Sequence, residues 1–265
     1  METFVQSFWL PKDGNSREEY EDAFYPRLIG QDERTVQCFG IADGASEGMF
    51  SGRWANILVN SLCSTPDSTF NASLNRAYGR WRRWRRRYLQ RREREGKMPP
   101  WYEESALETG SFSTVLTLTL GETMGGNGHS RGTWRSTAVG DSCLFQTRAD
   151  VLLTRFPLEQ SSQFSNRPLL VGSLPERNQS LADGIHVLEG QWEVDDHFYL
   201  ATDALSRWLL MEYEAARKPW AMLVDLDTEA QAESFHGWIS HLRTNQLLKN
   251  DDVTLVRIDM VSGGT

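Results

Sequence analysis

Four short apolar segments of the chain abut acidic residues. FGIA ends at Asp43, FYLAT ends at Asp203, VTLVRI follows Asp251-Asp252, and Ala23-Phe24-Tyr25 follows Glu21-Asp22. A carboxylate at the end of a buried strand is held on a rigid scaffold and is partly desolvated. Several of them converging would repel one another unless protons or cations neutralised them. Hard divalent cations such as magnesium and manganese take oxygen ligands. Their usual catalytic work is to activate a water and to stabilise the charge on a transferring phosphoryl group. Any one aspartate at a strand end more often serves as a turn or cap residue. Spacing alone does not separate a metal site from ordinary turns.

The elements around these carboxylates follow from periodicity. Residues 3–10 and 36–43 read as strands, the second stopping at Asp43-Gly44. Residues 51–62 place Trp54, Ile57, Leu58 and Leu62 at helical spacing, and a longer helix over about 69–95 carries a stripe of Leu74, Tyr78, Trp81, Trp84 and Tyr88. After Gly110 the pattern turns to β. Segments 111–120, 133–139, 142–148 and 151–156 are rich in β-branched and aromatic residues and are separated by turns, as in meandering antiparallel sheets. Residues 121–132 read as a long hairpin tip, and 157–183, rich in Ser, Pro, Asn and Gln, as a long loop or flap. A strand over 197–203, helices over 204–216 and about 228–248, and a final strand over 252–260 complete the chain, which we expect to form a single domain over 1–265.

Composition narrows the function classes. At 265 residues, with 39% hydrophobic and 24% charged content, the sequence is that of an ordinary globular chain. It has no apolar run of membrane-spanning length and no basic-then-apolar leader, so a soluble cytoplasmic protein without a membrane partner is expected. Cys38, Cys63 and Cys143 are far apart and lack CxxC pairing, which speaks against a disulfide framework and against zinc. Histidines 129, 186, 197, 236 and 241 are scattered, and His236 and His241, five apart, make no convincing ligand pair. The net charge is −8, yet residues 80–94 hold nine arginines and one glutamate. With aromatic residues on one stripe, the arginines read first as the solvated face of a helix, then as a docking face for an acidic partner. A nucleic-acid surface ranks below both and would require an affinity that falls steeply with salt.

Five fragments in order carry a resemblance over nearly the whole chain. Arg17-Glu18-Glu19-Tyr20-Glu21-Asp22, FGIADGAS (39–46), STAVGDSCLF (136–145), FYLATDAL (198–205) and NDDVTLVRI (250–258) resemble the motifs of the PPM-type (type 2C) metal-dependent protein serine/threonine phosphatases, in a bacterial-like form. The resemblance implies an α+β, four-layer α-β-β-α sandwich of two antiparallel sheets flanked by helices. It implies two Mn or Mg ions, bridged by Asp43. Glu21 and the Gly44 carbonyl would complete one ion, Asp203 and Asp251 the other, and Asp22 would stand behind them or bind through water. Arg17 would bind the substrate phosphate, as its bidentate fork and fixed charge suit. A hydroxide between the ions would attack phosphorus in line, with no covalent phosphoenzyme, and no cysteine has the CxxxxxR setting of a cysteine phosphatase.

The implied partners are a phosphorylated protein substrate and an opposing serine/threonine kinase. Three departures stand out. Ala45 takes the place of a histidine proposed as general acid in many eukaryotic members, and Ala204 takes the place of a glycine. A third ion, held in some members by an aspartate just before the Gly-Ser-Thr strand, finds here only Glu108, out of register, and Asp141 reads as a turn residue. The alternative function is a catalytically silent PPM-like module that binds a phosphoprotein or a regulatory partner. Retention of Glu21, Asp43, Asp203 and Asp251 weighs against it, and Ala204 weighs for it.

Overall fold

The computed structural model describes residues 2–26, 36–46, 48–97, 100–123, 131–224 and 229–262. Among these residues twelve strands and six α-helices follow in chain order. β1 (Glu2–Leu10), β2 (Ala23–Tyr25) and β3 (Val36–Ala42) precede α1 (Ser51–Cys63), α2 (Phe70–Arg94) and α3 (Trp101–Thr109). Then come β4 (Phe112–Ser113), β5 (Val115–Thr123), β6 (Arg131–Val139), β7 (Cys143–Arg148), β8 (Val151–Phe156), β9 (Val171–Gly172), β10 (His186–Glu193) and β11 (Asp196–Ala201). α4 (Asp203–Glu214), α5 (Trp220–Val224), α6 (Glu229–Thr244) and β12 (Val253–Val261) complete the order.

Two five-stranded antiparallel sheets form, in the orders β1-β12-β11-β7-β8 and β10-β6-β5-β3-β2. Strand side chains alternate between faces, and here both faces are covered. Val256, Ile258 and Met260 of β12 meet Phe198 and Leu200 of β11, Phe39 and Ile41 of β3, and Leu116, Leu118 and Leu120 of β5 between the sheets. The alternate residues face outward: Val253, Leu255, Tyr199 and Phe145 pack under Trp208, Phe235 and Ile239 of α4 and α6. On the other side Cys38, Ala42, Val115 and Val139 pack under Trp54 and Leu58 of α1, with Trp81 of α2 behind. The result is the α-β-β-α sandwich, and it explains why these strands read as nearly continuous apolar runs.

Gly40 lets α1 settle on β3, since a Cβ there would stand 2.8 Å from the Cys63 sulfur and 2.9 Å from Val59. The nearby Cys38 thiol, also buried, donates to the Phe39 carbonyl at 3.8 Å and accepts from Thr119 Oγ1 at 3.6 Å.

Several elements depart from the sequence expectation. Edge strand β10 goes unforeseen because it turns mainly Leu188 and Trp192 inward and leaves most of its residues exposed. α3 is short and weakly amphipathic, burying Glu103 and Leu107. Residues 157–183 are not a free flap: β9 pairs with β4, and Asn178 accepts the Gly172 N–H at 2.8 Å and donates to the Gly172 carbonyl at 2.9 Å. The centre of the expected hairpin tip, 124–130, lies outside the described residues.

Trp54 links this segment to the core, with a fully buried ring whose indole N–H donates to the Val171 carbonyl at 2.7 Å. Trp54→Ala opens a large cavity and strips that carbonyl of its donor. Denaturant titration should show a loss of about 3–5 kcal/mol in unfolding free energy; a loss below about 1 kcal/mol would mean that α1 collapses into the gap.

Candidate metal centre

Antiparallel register brings the acidic strand ends together. Ala23 pairs with Ala42, which sets Asp22 beside Asp43. Ala201 pairs with Leu255 on one side and Cys143 on the other, which sets Asp203 beside both the Asp251-Asp252 corner and Asp141. Each carboxylate therefore stands at the mouth of the sandwich because of the strand it terminates.

Hydrogen bonds lock the corner. Asp252 accepts the Lys12 N–H at 2.8 Å through one oxygen and the Glu21 N–H at 2.7 Å through the other, so β12 holds the segment that carries Glu21. The Thr254 hydroxyl donates to Asp22 Oδ2 at 2.6 Å and in turn meets the Tyr20 hydroxyl. Thr114 and Ser113 fix the backbone at Asp43: Thr114 N–H and Ser113 Oγ–H donate to the Asp43 carbonyl at 2.9 and 2.8 Å, and Asp43 N–H donates to Thr114 Oγ1 at 3.2 Å. Gly44 approaches the segment before β2 so closely that a Cβ would lie 2.6 Å from the Glu21 carbonyl oxygen.

The carboxylates sense one another. Burial, then Asp22, Asp203, Asp141 and Asp251, push Asp43 far above the ordinary carboxylate range. Asp22 is raised likewise by burial and by Asp252 and Asp203, against the Thr254 hydrogen bond. Burial and Asp203 bring Asp141 to about 7. Glu21 also reaches about 7, through burial and the charges of Asp252 and Asp251, against a hydrogen bond from Ser46. Asp203 is raised by burial and Asp251 despite Lys249. The Lys249 ammonium lies between two of these groups, 3.2 Å from Asp203 and 2.6 Å from Asp251. Burial works against its charge, but the two aspartates outweigh burial and hold it protonated.

The residues fit a hard divalent cation in donor chemistry and in charge. Every candidate donor is oxygen, carboxylates far outnumber the cations among them, and Asp22 Oδ1 and Asp141 Oδ1 are buried without a hydrogen-bond partner among the described residues. The side chains are not drawn into a closed ligand shell: among the described residues no three His, Cys, Asp or Glu stand close enough to hold an ion together.

The sequence-derived residues divide accordingly. Glu21, Asp22, Asp43, Gly44, Asp203 and Asp251 all stand at this mouth. Arg17 lies on a 3-10 turn, its guanidinium 5.5 Å from the Trp9 ring centroid, and the Trp9 and Tyr20 rings are tilted by 42° with centroids 4.8 Å apart. Asp141, read as a turn residue, belongs to the cluster, whereas Glu108 is exposed on α3. Ala204 sits in the first turn of α4, its N–H on Asp203 Oδ1 at 2.6 Å, without the positive φ that would call for glycine. Lys249 and Asp252 are the residues that sequence reasoning did not single out for these contacts. Beside the cluster a cleft of about 1230 Å³ is lined by Glu21, Ala45, Ser46, Arg53, Tyr102 and Phe112, among others.

No protein-family model and no curated protein sequence matches the chain. Solved structures do. The serine/threonine phosphatase PstP/Ppp of Mycobacterium tuberculosis is similar over 98% of this chain and 100% of its own, at 16% identity and a TM-score of 0.56. The catalytic domain of the serine/threonine protein phosphatase PstP in complex with two manganese ions is similar over 98% of this chain and 99% of its own, at 16% identity and a TM-score of 0.53. A bacterial serine phosphatase is similar over 98% and 99% respectively, at 12% identity and a TM-score of 0.56. At these identities the likeness is one of fold, and the fold is that of the bacterial PPM-type phosphatases. Among the described residues no helix is long and apolar enough to cross a membrane.

Proposed function

We propose that the chain is a metal-dependent protein serine/threonine phosphatase acting on phosphoserine or phosphothreonine in a protein partner. The observation that carries this reading is the convergence of Glu21, Asp22, Asp43, Asp141, Asp203 and Asp251, with two buried carboxylate oxygens unpartnered among the described residues. Asp43, Glu21 and the Gly44 carbonyl would hold one Mn or Mg ion, and Asp43, Asp203 and Asp251 a second. Once bound, the ions supply an activated water and neutralise charge on the phosphoryl group. The chain's own part is positional. Asp252 and Thr254 fix Glu21 and Asp22, and Thr114 fixes Asp43. Arg17 would be the permanent bidentate donor that meets a phosphate entering the site. Ala45 offers no proton, so the leaving alcohol would take one from water or from another group.

A second reading has its own observation. The Lys249 ammonium lies between Asp203 and Asp251, and no closed ligand shell forms among the described residues, as suits a catalytically silent module binding a phosphoprotein. One experiment separates the two. The dialysed protein should hydrolyse an aryl phosphate and a phosphothreonine peptide only with added manganese or magnesium, and lose that activity in EDTA. Undiminished turnover in EDTA defeats the metal reading. No hydrolysis together with no manganese-induced rise in melting temperature favours the silent module.

A further inference from the structure

Helices α1 and α2 enclose a groove of about 430 Å³. Arg80, Arg83, Trp84 and Arg87 reach it from one face of α2, while Arg53 and Asn56 reach it from one face of α1. No carboxylate lines it. Arg91 and Arg92, further along α2, do pair with acids, Glu95 and Glu103. Arg83 and Arg87 meet no carboxylate among the described residues, and both are exposed. Like charges three and four residues apart on a helix destabilise it. A solvated helix face has no need to concentrate them around one groove. Asn56 supplies a second, independent sign: its side-chain Nδ2 is buried and has no hydrogen-bond partner among the described residues, although its backbone carbonyl accepts from Asn60 at 2.8 Å. Orphan amide donor and guanidinium fork both await an acceptor.

The groove shares a wall residue with the cleft beside the carboxylates. Arg53 lines both, its guanidinium 5.8 Å from the Trp84 ring centroid. An extended chain with one residue in the cleft near Glu21 and Ser46 would meet Arg53 on its way to the groove. We propose that this groove docks an acidic stretch of the protein whose phosphoserine or phosphothreonine occupies the cleft, a substrate-selecting surface that rests on the phosphatase reading above. Ile57 and Trp84 give it an apolar floor, which suits side chains of a polypeptide. The remainder of this net −8 chain repels a long polyanion such as a nucleic acid more than a short acidic stretch that ends within the groove.

The test uses the double variant R83Q/R87Q, both residues lying outside the carboxylate site, with R83K/R87K as the charge-retaining control. A fluorescent peptide rich in Asp and Glu, followed by anisotropy without any need for turnover, should bind the parent and lose about tenfold in affinity with R83Q/R87Q, the lysine variant losing less. In turnover, kcat/KM on a phosphothreonine peptide with an acidic tract should fall about tenfold, while a tract-free peptide and an aryl phosphate are handled as by the parent. Equal binding of the acidic peptide by parent and R83Q/R87Q overturns the proposal. Tighter binding of single-stranded oligonucleotide than of acidic peptide by the parent overturns it too, in favour of a nucleic-acid site. A parent that hydrolyses nothing yet loses peptide affinity in the variant leaves the groove standing and removes the phosphatase reading.

Discussion

Asp43→Asn is expected to lower turnover of a phosphothreonine peptide by at least about a hundredfold, the scale seen when a central electrostatic group is removed from an active site. Asp43 ends β3, and its backbone is tied to Ser113 and Thr114, so no neighbour can swing into its place. It also feels the charges of Asp22, Asp203, Asp141 and Asp251 together. Asparagine keeps the size and one good oxygen but removes the charge that would hold two cations close. The metal-free protein should melt at the same temperature or slightly higher, because one repelling carboxylate is gone. Its stabilisation by manganese should shrink, because the native state binds the ion less well. Parent-like turnover of the phosphopeptide by Asp43→Asn would sink the assignment of this site.

The legible part of the molecule is the part written in local pattern. β3, β11 and β12 are buried on both faces, so their apolar runs mark them, and their terminal acids stand out by contrast. The aromatic stripe of α2 is legible for the same reason, Leu74, Tyr78 and Trp81 being buried and its arginines largely exposed. Asp141 was hidden because Gly-Asp-Ser is turn chemistry wherever it occurs; only the pairing of Ala201 with Cys143 carries it beside Asp203. Lys249 was hidden because nothing local reveals that its side chain will lie between Asp203 and Asp251. Strand β10 was hidden because an edge that buries one sparse face leaves little periodicity to read. The segment 157–183 looked loose because its order comes from contacts distant in sequence, such as Trp54 on Val171 and Tyr78 accepting from Asn178 at 2.8 Å.

The same carboxylate convergence makes stability without metal fall as pH rises from about 5 to 8, the reverse of an acid-labile fold. Asp141 goes from 3.8 to about 7 on folding and Glu21 from 4.5 to about 7, while Asp22, Asp43 and Asp203 move in the same direction through burial and mutual repulsion. Between the unfolded and folded values the native state holds protons that the unfolded chain has released, so the slope of unfolding free energy with pH is negative there. The contribution is fully present below about pH 4 and is lost as pH climbs through the folded values near 7. For Asp141, buried at 6% exposure, the shift corresponds to about 4 kcal/mol at most; Glu21, only partly buried, adds less because solvent screens it. Glu19 and Glu214 have lowered values and titrate below this window, so they do not mask the trend. Urea unfolding in EDTA at pH 5 and pH 8 measures it directly. Asp141→Asn should flatten the slope and raise stability at pH 8, since an amide cannot ionise there. Saturating manganese should abolish most of the loss, because a cation rewards the ionised form that burial penalises, and its stabilisation should therefore grow with pH. Equal slopes for the parent and Asp141→Asn would show that Asp141 is solvated in the native protein and lies outside the cluster.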